Sequence, residues 1–444
     1  MASNAPLIIA DEFDSDALRV QSFDIKGLFG GKPHSIIFPQ PNVLRPGPGI
    51  LILSGENGSG KTTILRMIAG ILELDFDMFR KMPFENAQLI LSNGDTVSIR
   101  REKSDEFPLY VTFRDEGTFL PMSKDFTKLT SAQDRNREKL RNVALPILQK
   151  INFELLDISR TSVLRGSMAE GVEKILFNSM SSLSPKEFEA VERHMRRQQM
   201  EARGDSGSKF PLANRIKNFV RDAQVNYRRF FFADDLGVLP RVLERFKNSS
   251  KQSDRHELLE RITAVQDRFP LMKRFGLQTD DVDLSELGNL VSDNAYQEAH
   301  SLALLETYVE MQENRNKARE LVAERLEIFE DIMDEFLVGK SIRVDAREGL
   351  KITTNAGTLN ETDLSSGEYH FLCMMVSALL CHKSGSIIAI DEPELSLHVT
   401  WQRKAVNALA RCAARAFPLF IFATHSSAVA SEYADHVYSL SPVE

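Results

Sequence analysis

One stretch, Gly55-Glu56-Asn57-Gly58-Ser59-Gly60-Lys61-Thr62, constrains this chain more than any other. It follows the apolar run Ile50-Leu51-Ile52-Leu53 and opens into Ile64-Leu65-Arg66-Met67-Ile68-Ala69. That order predicts a strand, a glycine-rich turn and a helix, which is the context a P-loop needs. The glycines let the backbone approach a polyphosphate, and successive N–H groups form an anion nest at the positive end of the helix. Gly55 to Thr63 are therefore the candidate phosphate-binding residues. Lys61 has the reach for the β- and γ-phosphates, and the Thr62 hydroxyl suits Mg²⁺. A chance glycine turn before a helix would not carry the full Gly-x4-Gly-Lys-Thr pattern in this setting. The expected ligands are ATP and Mg²⁺.

A chain of 444 residues has room for two domains, or for one domain with a large insertion. The net charge of −8 argues against wholesale nucleic-acid binding but leaves room for a local basic patch. No apolar run approaches the ~20 residues of a membrane span. The N-terminus has no signal-peptide pattern, and Cys373, Cys381 and Cys412 show no metal spacing. The expectation is a reduced, cytoplasmic protein.

Strands are expected over Ala17 to Ile25 and His34 to Phe38, with a turn at Leu28-Phe29-Gly30-Gly31 between them. Gln88 to Leu91 and Thr96 to Ile99 flank an Asn93-Gly94 hairpin turn, and Leu109 to Phe113 adds a strand. Antiparallel strands thus bracket the P-loop. From about Lys124 to Lys340 the pattern reads as helical. Leu302 to Phe336 is one long amphipathic stretch with a stripe through Leu304, Tyr308, Met311, Ala318, Val322, Leu326, Phe329, Met333 and Phe336. Its acidic outer residues read as a solvated face. Between Arg196 and Lys247 stand twelve Lys/Arg and six Asp/Glu, with Phe219, Tyr227 and Phe230 to Phe232 interleaved. Three readings of this stretch stay open, in this order: a core with a basic rim, a protein-docking arm, and a nucleic-acid grip. Gly204 to Ser208 is a loop within it.

The C-terminal part returns to strands. Ser341 to Asp345 and Leu350 to Thr353 form a hairpin. Leu364-Ser365-Ser366-Gly367-Glu368 then precedes the apolar helix Phe371 to Leu380. Small residues there present N–H groups and a hydroxyl to an anion, although a serine-rich helix cap explains them equally well. Ser386-Ile387-Ile388-Ala389-Ile390-Asp391-Glu392 is a buried strand delivering two acids. Asp391 is the candidate Mg²⁺ ligand, and Glu392 is the candidate base that orients and deprotonates water. An ordinary buried strand with exposed acids is the alternative. Pro393 to His398 follows, then a helix from Trp401 to Ala413, the strand Leu419 to Ala423, and Thr424-His425-Ser426-Ser427. A short strand, Val437 to Leu440, comes last.

Taken together and in this order, the segments resemble the Walker A, signature, Walker B, D-loop and switch histidine of an ABC-type ATPase. The resemblance covers about residues 15–125 and 338–444, with a helical insertion over 126–337 whose long stretch fits a coiled coil or a long packed helix. It implies an α/β fold: an SMC/RecF-like ABC ATPase head with an antiparallel β subdomain. Lys61 and Ser365 lie 304 positions apart, as in the split heads of that branch. The string Asp391-Glu392-Pro393-Glu394-Leu395-Ser396-Leu397-His398, with Leu28-Phe29-Gly30, is more similar to the OLD-like (AAA15) ATPases of bacterial anti-phage systems. Among these the ATPase subunit of PARIS is most similar, and that of Septu is also similar.

This resemblance implies that His425 senses a γ-phosphate. It also implies that Ser365, Ser366 and Gly367 meet the ATP of a second copy in a head-to-head dimer or higher oligomer. Ser366 and Glu368 replace the transporter Gly and Gln. Gln88 and Gln133 are both candidates for a Q-loop glutamine. No TOPRIM segment and no HNH cluster follows. The expected function is therefore an ATP-hydrolysing sensor and scaffold that holds a separate effector, such as a TOPRIM or HNH nuclease, and answers to a phage protein. A RecF/SMC-like DNA-maintenance ATPase is the alternative.

Overall fold

A computed structural model of the chain describes residues 14, 16–40, 47–104, 108–120, 131–157, 162–165, 212–225, 255–277, 299–381 and 383–440. Of the basic stretch only residues 212–225 are included. Tyr227, Phe230 to Phe232 and the loop Gly204 to Ser208 lie outside the described residues.

In chain order the N-terminal elements are β1 (Val20–Lys26), β2 (His34–Ile37), β3 (Gly49–Ser54), α1 (Lys61–Glu73), α2 (Asp77–Lys81), β4 (Asn86–Leu91), β5 (Thr96–Arg101), β6 (Leu109–Phe113), β7 (Glu116–Leu120), α3 (Ser131–Leu148), β8 (Phe153–Asp157) and β9 (Ser162–Arg165). Helix α4 spans residues 212–225, followed by α5 (Arg255–Arg274), α6 (Ala299–Phe336), β10 (Lys340–Asp345), β11 (Gly349–Thr354) and β12 (Gly357–Leu359). The chain then forms α7 (Ser366–Leu380), β13 (Ile387–Asp391), α8 (Val399–Cys412), β14 (Leu419–Thr424), α9 (Ser427–Ala430) and β15 (Val437–Ser439).

These elements gather into two compact units. One draws on Glu12–Lys209 and Ser365–Glu444, the other on Phe210–Leu364. The two units divide at 209/210 and 364/365. Phe153, Leu155 and Leu156 of β8 are buried, and β8 pairs in parallel with β13. The hairpin β10–β11 instead packs on the end of α6.

In the first unit an antiparallel sheet runs β2-β1-β4-β5-β6-β7. The hairpin between β4 and β5 turns at Asn93-Gly94, where Gly94 takes φ 84° and the Asn93 side chain accepts from the Asp95 N–H. Ala87, Leu89 and Leu91 face inward with Val97 and Ile99, so the alternation read from the sequence sets the buried face. The second sheet runs β15-β3-β14-β13-β8-β9 and is parallel apart from β9. Its central strands are buried on both faces, as continuous apolar runs require. Helix α1 packs against β8, β13 and β14.

The second unit is built on α5 and α6. Val322, Leu326, Phe329, Met333 and Phe336 are buried at steps of three and four. The acidic residues of α6 are not simply a solvated face. Arg261 forks onto Glu313 at 2.8 and 2.6 Å, Arg268 reaches Glu320 at 3.0 Å, and Arg274 pairs with Glu330. These pairs advance together along both helices, so α5 and α6 run side by side in the same direction. Among the described residues no helix is long and apolar enough to cross a membrane.

Candidate functional site

The parallel register fixes what lies at one end of the second sheet. Leu53, Ala423, Asp391 and Asp157 are neighbours across β3, β14, β13 and β8. The chain leaving β3 becomes the P-loop, that leaving β13 begins at Glu392, and that leaving β14 begins at His425. Open α/β sheets bind ligands at the carboxyl ends of such strands.

Gly58 and Gly60 take φ of 84° and 94°, in the left-handed region that favours glycine. Gly55 is fixed by space instead, since a Cβ there would lie 2.6 Å from the Ser59 Oγ. The loop folds back on itself, with the Ser59 N–H donating to the Glu56 carbonyl. Lys61 is buried and its Nζ donates to the carbonyls of Gly55 and Glu56 at 2.8 and 3.0 Å. Glu56 and Asn57 are exposed, while Thr62 and Thr63 are half-buried on the first turn of α1. The Ser59 hydroxyl is buried without a hydrogen-bond partner.

Asp391 is 5% exposed. Burial pushes its carboxyl above the ordinary carboxylate range. A hydrogen bond with the Thr62 side chain opposes that shift, the charges of Asp157 and Glu392 add to it, and Arg66 offsets part of it. Its Oδ1 has no hydrogen-bond partner. A buried, unsatisfied carboxylate oxygen beside a hydroxyl suits a hard divalent cation. Together with the glycine cradle, this makes the residues present a fit for a metal-bound polyphosphate.

Two acidic neighbours emerge only from the fold. Asp157 is 3% exposed and forms a 2.6 Å ion pair with Arg66 of α1. It was invisible in the sequence because β8 sits inside a region with helical periodicity. The available signal was Phe153-Glu154-Leu155-Leu156 ending in an acid, a short and mostly apolar stretch comparable to Ile387 to Asp391. Neither Q-loop candidate occupies that strand. Gln88 pairs with Asp24 and Ser98 in the antiparallel sheet, and Gln133 lies on α3 with its carbonyl accepting from Thr118.

The second neighbour is Glu394. Its Oε1 accepts the His425 backbone N–H at 3.0 Å and lies 3.1 Å from the ring Nδ1. Glu394 is thus the carboxylate neighbour of His425. Glu392 is half-buried, has φ 53°, and donates its N–H to the Ala423 carbonyl at 2.8 Å. A non-glycine residue held in the left-handed region costs about 1–3 kcal/mol and is typical of functional sites.

Ser365 caps α7 through a reciprocal box with Glu368. Glu368 therefore has a structural task of its own. Ser365 and Ser366 are exposed. Gly367 is constrained by the segment after β13, because a Cβ there would lie 2.3 Å from the Ser396 carbonyl oxygen.

A glycine cradle, a buried lysine and paired acids at the carboxyl end of a parallel sheet define a P-loop ATPase. The chain belongs to the family AAA_15, an AAA ATPase domain, whose model matches residues 42–430. No curated protein matches it in sequence. Among solved structures, the Smc head domain of Pyrococcus furiosus, with an extended coiled coil bound to the C-terminal domain of ScpA, aligns at 14% identity and TM-score 0.41, covering 93% of this chain and 91% of that one. An SmcHead bound to the C-winged helix domain of ScpA aligns at 12% identity and TM-score 0.38, with the same coverage of 93% and 91%. The SMC head domain from Thermotoga maritima aligns at 14% identity and TM-score 0.33, covering 96% of each chain.

Proposed function

We propose that the chain binds and hydrolyses ATP and that it uses the cycle to hold and control a separate effector protein. The observation that carries the reading is the convergence of Lys61, Thr62, Asp391, Glu392 and His425 at one end of one sheet. Gly55 to Thr63 cradle the phosphates through backbone N–H groups. Lys61 exchanges its two loop carbonyls for phosphate oxygens. Thr62 and Asp391 hold Mg²⁺, which neutralises phosphate charge when bound. Glu392 orients the attacking water and takes its proton. His425 senses the terminal phosphate.

Ser365, Ser366 and Gly367 serve the ATP of a second copy. In support, the two serines are exposed at the N-terminus of a 15-residue helix. An exposed helix N-terminus suits a phosphate brought by another molecule. The unit within Phe210–Leu364 is the body that meets the effector, a nuclease of the TOPRIM or HNH type, in a cytoplasmic anti-phage complex triggered by a phage protein. Membership of the AAA_15 family and the resemblance of Asp391 to His398 support this reading.

Nucleotide binding and turnover test the core. Lys61→Ala is expected to abolish ATP binding, and Glu392→Gln to retain ATP while losing turnover. Wild-type turnover in Glu392→Gln would remove Glu392 from the role of base. Co-purification with a neighbouring gene product, with and without ATP, tests the scaffold. Recovery of a nuclease in fixed ratio supports it, whereas steeply salt-dependent DNA binding with no protein partner favours DNA maintenance.

A further inference from the structure

The geometry points to Glu394 as the positioning residue of His425, a role that rests on the reading of His425 as part of the ATP site. Glu394 lies two residues beyond the candidate base and is 7% exposed. A carboxylate this deep needs partners. One oxygen, Oε1, accepts the His425 backbone N–H and also lies 3.1 Å from the ring Nδ1; the other, Oε2, has no hydrogen-bond partner.

We infer the tautomer from that second approach. A carboxylate oxygen only accepts hydrogen bonds. Set against a bare Nδ1 it would oppose one lone pair to another, so the proton sits on Nδ1. In the neutral ring Nε2 then carries the lone pair, and on protonation it becomes a donor to an anion. The His425 side chain is 48% exposed, so Nε2 is within reach of a ligand.

The surroundings hold the pair in place. The Glu392 N–H continues the pairing of β13 with β14 one residue past the strand. The Glu394 carbonyl accepts from the Leu397 N–H and from Gln402 Nε2. Gln402 then accepts from the Ser426 hydroxyl at 2.9 Å through its Oε1. The segments after β13 and after β14 are thus tied twice, by Glu394 to His425 and by Gln402 to Ser426.

The test uses the full chain with ring-¹⁵N histidine and a two-bond ¹H–¹⁵N correlation spectrum, in which His425→Gln identifies the signals of this ring. Wild type is expected to show a protonated Nδ1 and a bare Nε2 in the neutral ring. Glu394→Gln keeps an accepting oxygen and should keep that pattern and most of the turnover. Glu394→Leu keeps the bulk, removes the acceptor, and should move the proton to Nε2. It should also lower kcat on the order of 10-fold with KM for ATP little changed. A wild-type ring protonated at Nε2 overturns the proposal, and that spectrum requires no Glu394 variant to fold. Unaltered tautomer and turnover in Glu394→Leu overturn it as well. The stated tautomer with turnover untouched by His425→Gln would support the pairing and remove His425 from the ATP site.

Discussion

Asp157 and Asp391 stand opposite each other at the ends of two parallel strands, both buried, with Arg66 paired to the first and Thr62 bonded to the second. Two carboxylates so close in low dielectric repel unless each has its own partner. The arrangement keeps both acids in place while leaving one oxygen of Asp391 unsatisfied.

Removing the Arg66 side chain takes from the buried Asp157 its 2.6 Å ion pair. Arg66 is itself 30% exposed, so the loss falls below that of a fully buried pair. Arg66→Ala is expected to lower stability by about 2 kcal/mol, measured as a shift in the urea midpoint. An unchanged midpoint would show that the pair does not stabilise the sheet end.

The raised carboxyl of Asp391 gives a pH signature. Its folded value lies above its unfolded value, so the folded state binds more protons between the two. Stability contributed there falls as pH climbs from ~3.9 through the raised folded value. Asp391→Asn removes that fall and still offers Thr62 an acceptor. Without nucleotide or divalent cation, the Tm of the variant should gain on wild type as pH rises from about 4 to about 8. A constant Tm difference across that range would contradict the burial effect.

Glu330 tests the second unit. It is 3% exposed, pairs with Arg274, lies 3.8 Å from Arg343 and accepts the Val344 N–H at 2.7 Å. Glu330→Ala is expected to cost about 3 kcal/mol in chemical denaturation. Glu320→Ala, which breaks only a partly exposed pair, is expected to cost less than ~1 kcal/mol. Equal effects would show that burial does not separate the two.

Gly367→Ala drives a methyl into the Ser396 carbonyl. The expected outcome is intact nucleotide binding by the P-loop with turnover reduced at least roughly 10-fold, read from nucleotide titration and steady-state kinetics. Loss of nucleotide affinity instead would place Gly367 in the cradle of its own chain.

Much of this was legible in the residues. Apolar alternation located β1, β4, β5 and β6, and Asn93-Gly94 located their tightest turn. The P-loop strand, the strand ending in Asp391 and the long helix to Phe336 were equally clear. What escaped was long-range pairing. Nothing local in Phe153 to Asp157 says that it lies beside a strand more than two hundred positions away, so Asp157 stayed hidden. The partners of the acids on α6 escaped for the same reason: they sit on α5, and spacing within one helix cannot reveal them. Glu394 was read as one letter of a motif, and its contact with His425 appears only when β13 and β14 are neighbours.

The most direct test of a site completed by a second chain mixes two inactive variants, Lys61→Ala and Ser366→Glu. If P-loop and signature come from different copies, the mixed dimer holds one intact site and one doubly damaged site. An equal mixture should then recover about a quarter of wild-type ATPase activity, since half of the dimers are mixed and each has one of two sites. Activity no higher than the average of the two variants alone would contradict a shared site and confine the chemistry to a single chain.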